Sequence, residues 1–190
     1  MVFALRRRKV LPGPSSFLGR IKMAADVLDR MAGAIEDVSE LYYRLVLLVG
    51  PSDAGKTKAL FELSSKRGFQ YLNLSLELSR RLLDLAAGQR PVAVRRLMED
   101  LLSGTTGPVL CDNIELLFDV SLRQDPLHLL QLLSRQRTIV AAWNGSIAGG
   151  YLNYATPDHP EYRRYPVQDL LLITFGGDAN EGVGRTDGGS

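Results

Sequence analysis

Fourteen residues, "LLVGPSDAGKTKAL" at positions 47–60, constrain the fold of this chain more than any other stretch. Within them, Gly50 to Thr57 read G-x-x-x-x-G-K-T, the Walker A pattern of a loop that cradles phosphates. Each fixed position has a physical reason. Glycines at 50 and 55 reach backbone angles closed to other residues and let the main chain approach an anion closely. The loop through Pro51, Ser52, Asp53 and Ala54 turns N–H groups inward. The positive end of the following helix, opened by Lys56, Thr57 and Lys58, adds to the attraction. Lys56 places a point charge at the β- and γ-phosphates of a nucleotide. The Thr57 hydroxyl suits Mg²⁺, a hard cation that takes oxygen ligands. ATP and Mg²⁺ are therefore the expected ligands. The Asp53 carboxylate is out of place beside phosphates and is expected to face solvent.

The motif needs a strand before it and a helix after it. Residues 44–49, "RLVLLV", are an apolar run suited to a buried strand. In "KTKALFELSSKRG", Ala59, Leu60, Phe61 and Leu63 are expected on one side of a helix that Gly68 stops. Upstream, after the break at Pro12-Gly13-Pro14, Ser15 or Ser16 can cap a helix. Its stripe is Phe17, Ile21, Ala24, Leu28, Met31, Ile35 and Val38, in steps of four and three. Such a stripe packs on the domain core, or it meets a partner. Downstream, strands are expected at 69–75, 107–113, 138–145 and 167–175, and helices at 76–86, 91–104 and 125–137. Strands alternating with helices predict an α/β fold: a P-loop NTPase three-layer sandwich of about five mostly parallel strands with helices on both faces. One nucleotide-binding domain is expected over 16–175. An N-terminal helix opens it, and no helical lid domain is readable after the last strand.

Composition bounds the partners. Of the 23 Lys and Arg residues, four lie in the run Arg6, Arg7, Arg8, Lys9; the other 19 face 21 acidic residues, a net of −2. The body is not a basic nucleic-acid surface, so DNA contact is expected to be indirect. Residues 1–15 read as a flexible basic arm that could touch phosphate or membrane or simply stay solvated. Residues 176–190, "GGDANEGVGRTDGGS", hold six glycines and read as a flexible tail. No apolar run reaches the roughly 18 residues of a membrane span, and the opening lacks a secretory apolar region. The single Cys111 excludes a disulfide framework and a cysteine metal cluster. A reducing, cytoplasmic location is expected. His128 and His159 lack metal-ligand spacing and are expected on the surface.

A phosphate loop needs a second carboxylate for the Mg²⁺ shell, at the end of a buried strand. "PVLCD" supplies Asp112, although a turn aspartate after a strand gives the same pattern. Many such ATPases follow it with a glutamate that polarises the attacking water. Here Asn113 follows, and an amide cannot accept a proton as a carboxylate does. Glu115 either takes that catalytic role or caps a helix. Asn144, at the end of "AAWN", stands where ATPases with an extra strand between the loop strand and the Asp strand carry their first sensor residue. Asn144-Gly145 is also a turn pair. In "EYRRYP", Arg163 or Arg164 can reach a neighbour's γ-phosphate at a subunit edge, or both are solvated.

Taken together, "LLVGPSDAGKT", "CDNIELLF", "PLHLLQLLSRQRTIVAAWNG" and "YLNYATPDHPEYRRYP" resemble the BrxF family, small P-loop proteins of type-3 BREX bacteriophage-defence systems. The resemblance spans about residues 20–175. It implies an AAA-like ATPase core in a bacterial cytoplasm, acting beside a DNA methyltransferase, a larger ATPase and a helicase. It also implies nucleotide roles for Lys56, Thr57 and Asp112; no catalytic glutamate is carried over, because none stands beside Asp112. Two functions remain: an ATPase that is slow alone and activated by partners or by a homo-oligomer, and a nucleotide-binding adaptor with little hydrolysis. A small-molecule kinase would need an arginine-bearing lid, and no such segment is readable.

Overall fold

The computed structural model describes residues 14–104 and 106–176, with side chains described from Asp26 onward. The Arg6–Lys9 run and the tail beyond Gly176 lie outside the described residues. The first helix, α1 (Pro14–Asp37), begins at Pro14 itself, not at a serine cap, because a proline fits the first helical turn. The phosphate-loop strand β1 (Leu45–Gly50) and helix α2 (Lys56–Arg67) follow. Then come β2 (Gln70–Asn73), α3 (Leu74–Leu83), α4 (Arg90–Leu102), β3 (Val109–Asp112) and α5 (Pro126–Ser134). The remaining strands are β4 (Ile139–Ala148), β5 (Tyr151–Tyr154), β6 (Arg163–Pro166) and β7 (Leu171–Thr174).

Five strands form a parallel sheet in the order β2-β3-β4-β1-β7, so β4 lies between the loop strand and the Asp112 strand. This is the expected P-loop α/β sandwich with an extra strand. Side-chain alternation divides its two faces. Leu45, Leu47, Val49, Val109, Cys111, Ile139, Ala141 and Trp143 pack with residues of α3, α4 and α5. Val46, Leu48, Leu110, Val140 and Ala142 pack instead with Leu28, Met31 and Ile35 of α1 and with Ala59, Leu60 and Leu63 of α2. The second half of the α1 stripe is thus core. The side chains of Phe17, Ile21 and Ala24 lie outside the described residues.

Three local expectations are corrected. Phe61 is 62% exposed, not on the buried side of α2, because it follows Leu60 by about 100° of helical rotation and overshoots the apolar stripe. The second strand ends at Asn73, not Ser75: the Asn73 side chain accepts the Leu76 N–H and starts α3 two residues earlier than expected. The strand expected to stop at Gly145 runs on to Ala148. There Gly149 and Gly150, with φ of 56° and 78°, turn the chain back into β5. β6 pairs with β5, so two antiparallel strands extend the parallel sheet. Gly145 is required on this path: a Cβ there would lie 1.9 Å from the Asn153 carbonyl oxygen.

Candidate nucleotide site

The same alternation that builds the core places the site. Beyond Val46 and Leu48 on the α2 face comes Gly50; beyond Leu110 comes Asp112; beyond Val140 and Ala142 comes Asn144. The three lie at the C-terminal ends of neighbouring parallel strands, with Gly50 in register with Asn144. That edge is where open α/β sheets bind ligands.

The loop is held from both sides. Ala54 N–H donates to the Pro51 carbonyl at 3.1 Å, and Gly55 precedes α2 at φ 91°, a left-handed angle that suits glycine. Gly50 is fixed by crowding: a Cβ there would meet the Phe175 carbonyl oxygen at 2.4 Å, while Phe175 N–H donates to Val49 at 2.7 Å. Pro51, Ser52 and Asp53 are exposed, and Asp53 faces solvent. Thr57 is exposed at the helix start. Lys58 pairs with Glu62 on the outer face of α2 at 3.7 Å. Lys56 differs from its neighbours. It is 2% exposed, and its ammonium donates to the carbonyls of Gly50, at 2.7 Å, and Pro51. Burial lowers its pKa, opposed by Asp112, then Glu115, then Asp53.

Asp112 is also 2% exposed. Its Oδ2 accepts a 2.7 Å hydrogen bond from the Tyr71 hydroxyl on β2, a contact the sequence reading did not anticipate. Burial first, then this bond and the carboxylate charge, push the Tyr71 phenol up to about 12. The only sequence signal was position: Tyr71 and Asn73 alternate on the strand that pairs with "VLCD".

Asn113 turns the chain sharply, with φ 51°. Its carbonyl accepts the Ser75 N–H at 2.9 Å and the Ser75 hydroxyl, and that hydroxyl oxygen accepts Leu116 N–H at 3.1 Å. Ser75 was likewise not anticipated. The turn delivers Glu115 to the first position of a short 3₁₀ segment (Glu115–Phe118), anchored by buried Leu117 and Phe118. Phe118 stacks on Tyr154 and meets Trp143 edge-on. From there the Glu115 Oε1 accepts a hydrogen bond from Asn144 Nδ2. Burial raises the Glu115 pKa, and the Asp112 charge adds to this. A hydrogen bond from its own backbone N–H, then Lys56 and Asn144, oppose it. Lys56, Asp112, Glu115 and Asn144 therefore form one electrostatic cluster from the start of α2, two strands and a turn.

The arginines stand elsewhere, on β6. Arg163 is half-buried and donates to the Tyr162 carbonyl at 2.9 Å. Arg164 is exposed over the Tyr151 ring at 3.7 Å. His128 and His159 are exposed, and Cys111 is buried with its thiol pushed up to about 12, mainly by burial. Among the described residues no three His, Cys, Asp or Glu side chains cluster as a metal cage, and no helix is long and apolar enough to cross a membrane.

Neither a protein-family model nor a curated protein matches the chain. Among solved structures it is similar to C. elegans PCH-2, with a TM-score of 0.45 and 16% identity over 81% of this chain and 43% of that one. It is also similar to a DNA replication initiation factor, with a TM-score of 0.38 and 17% identity over 64% and 37%. The chain spans less than half the length of either. The P-loop fold rests on this chain's own strand order and loop geometry.

Proposed function

We propose that the chain binds ATP with Mg²⁺ at this strand edge and hydrolyses it slowly until a neighbouring subunit or partner completes the site. The observation that carries the reading is the buried Lys56 ammonium, held by two loop carbonyls and facing Asp112 and Glu115. Burying a cation is costly, and the cost is offset only where the ammonium meets compensating groups. Main-chain carbonyls are weak partners for a cation and readily exchanged for phosphate oxygens.

The residues fit the ligands. The loop from Gly50 to Lys58 would hold the phosphates through its N–H groups and Lys56; Thr57 and Asp112 would hold the ion. When bound, Mg²⁺ neutralises charge on the β- and γ-phosphate oxygens. Glu115 is the proposed general base. Its raised pKa brings it nearer the operating range of a base, and Asn144 fixes the carboxylate and can orient water beside it. Arg163 or Arg164, on β6, is proposed to act on a second copy's γ-phosphate in a homo-oligomer.

The setting follows the resemblance to the BrxF family: a BREX-type phage-defence assembly in the cytoplasm, with a methyltransferase, a larger ATPase and a helicase as partners and DNA contacted through them. The segments that carry it include those bearing Asp112, Glu115, Asn144, Arg163 and Arg164. A second reading, an assembly adaptor that binds ATP with little turnover, is favoured by one observation. Asn113, beside Asp112, is spent on a turn tied to Ser75 and supplies no base.

Calorimetry of Lys56→Ala tests the shared premise. A hydrogen-bonded charge is worth about 1.5–3 kcal/mol, so ATP affinity should fall roughly 10- to 100-fold. Equal affinity in variant and wild type would refute nucleotide binding at this loop.

A further inference from the structure

We infer that Tyr71 is a positioning residue for the metal carboxylate: its phenol holds Asp112 in the orientation that receives Mg²⁺. This rests on the nucleotide reading above and adds a specific role for a strand outside the phosphate loop. Three observations carry it. The Tyr71 hydroxyl donates to Asp112 Oδ2 at 2.7 Å, and Asp112 is 2% exposed. The two strands pair in parallel, with Tyr71 opposite Leu110 and Asn73 opposite Asp112, so the phenol reaches one pleat forward to the carboxylate. The Tyr71 ring is itself braced, edge-on to Phe61 of α2 with centroids 6.1 Å apart, and it packs on the α1–α2 face of the core.

The donor type matters. A buried carboxylate needs a partner, and an arginine or lysine there would cancel the charge the ion needs. A neutral phenol satisfies one oxygen, fixes the plane of the group and leaves its negative charge in place. Such outer partners of metal ligands typically set metal affinity by about 10- to 100-fold. The α2 brace also ties the carboxylate's orientation to the helix that opens with Lys56 and Thr57.

The test uses the full chain and ATP affinity measured by calorimetry with Mg²⁺ and with EDTA. Tyr71→Phe keeps the ring and its packing and removes only the donor. The ratio of the two affinities should fall about tenfold or more while the metal-free affinity holds, and the melting temperature should drop modestly, because a buried carboxylate oxygen loses its donor. If wild type binds ATP with a clear Mg²⁺ dependence and Tyr71→Phe keeps the same ratio, the positioning role is refuted and the nucleotide site stands. If wild type shows no ATP binding, both fall together. Should Tyr71→Phe not fold, Phe61→Ala, at an exposed position, carries the test: a smaller fall in the same ratio supports the role, and an unchanged ratio overturns it.

Discussion

The two halves of β4 live in different surroundings. From Ile139 to Trp143 the strand is buried between β1 and β3, and Asn144 at its end is bonded to Glu115. From Gly145 to Ala148 it leaves the parallel sheet, becomes increasingly exposed and pairs with β5, which carries β6 and the two arginines. The buried half contributes to a cluster whose members hold one another in place within one chain. The outer half displays Arg164 over Tyr151, a cation–π contact that leaves the guanidinium accessible. The division is one of placement: the cluster residues Asp112 and Asn144 end strands of the parallel sheet, and the two arginines ride on its antiparallel extension.

The largest expected effect tests the outer half. If an arginine acts across a subunit boundary, Arg163→Ala or Arg164→Ala should lower ATP turnover about 10³- to 10⁵-fold at protein concentrations where copies associate. Neither should change turnover at high dilution. Phosphate release measured against protein concentration checks this; two variants indistinguishable from wild type throughout would break the comparison.

Next in size is the inner half. Glu115→Gln should reduce turnover about 10²- to 10⁴-fold, by the same factor at every protein concentration, since the base and Asn144 belong to one chain. Full activity in that variant would remove Glu115 from the chemistry and favour the adaptor reading.

The smallest effect is one of stability. Burial raises the Glu115 pKa, so the fold favours its neutral form. The stability this group contributes is present below the ordinary glutamate value near about 4.3 and is lost as pH rises through the raised folded value. At neutral pH wild type therefore carries a half-buried charge that Glu115→Gln lacks, while the amide oxygen can still accept from Asn144. The variant should melt higher than wild type at pH 7, and the gap should close as pH falls to about 4. A gap that does not vary with pH would mean that the charge is not its cause.

The contrast between the halves also explains what the sequence made legible. The phosphate loop could be read because its chemistry demands particular residues at fixed spacing. β1, β3 and the first half of β4 could be read because buried strands are apolar runs, and β2 because its residues alternate. Asp112 was legible as the residue ending such a run. Tyr71 and Ser75 were not, because their roles depend on which strand lies beside which, and nothing local marks a tyrosine as a partner of a carboxylate forty-one residues away. The hairpin was missed for a different reason. Asn144-Gly145 is the stronger local turn signal, yet strand pairing with Tyr154 carries the chain straight through it, and the turn falls at Gly149-Gly150. Phe61 was misplaced because apolar character alone was taken for burial, while helical geometry put it outside the stripe.

One contact gives the phosphate loop a mechanical neighbour. Just past β7, Phe175 lies so close to Gly50 that no side chain fits between them, and at Gly176 even a methyl group would stand 3.2 Å from the Ala54 side chain and 3.5 Å from Pro51. Two peptide units of the chain's exit therefore bear directly on both ends of the loop's arch. Any side chain at position 176 would press on Ala54 and crowd Pro51, so the glycine keeps the segment leaving β7 clear of the loop it borders.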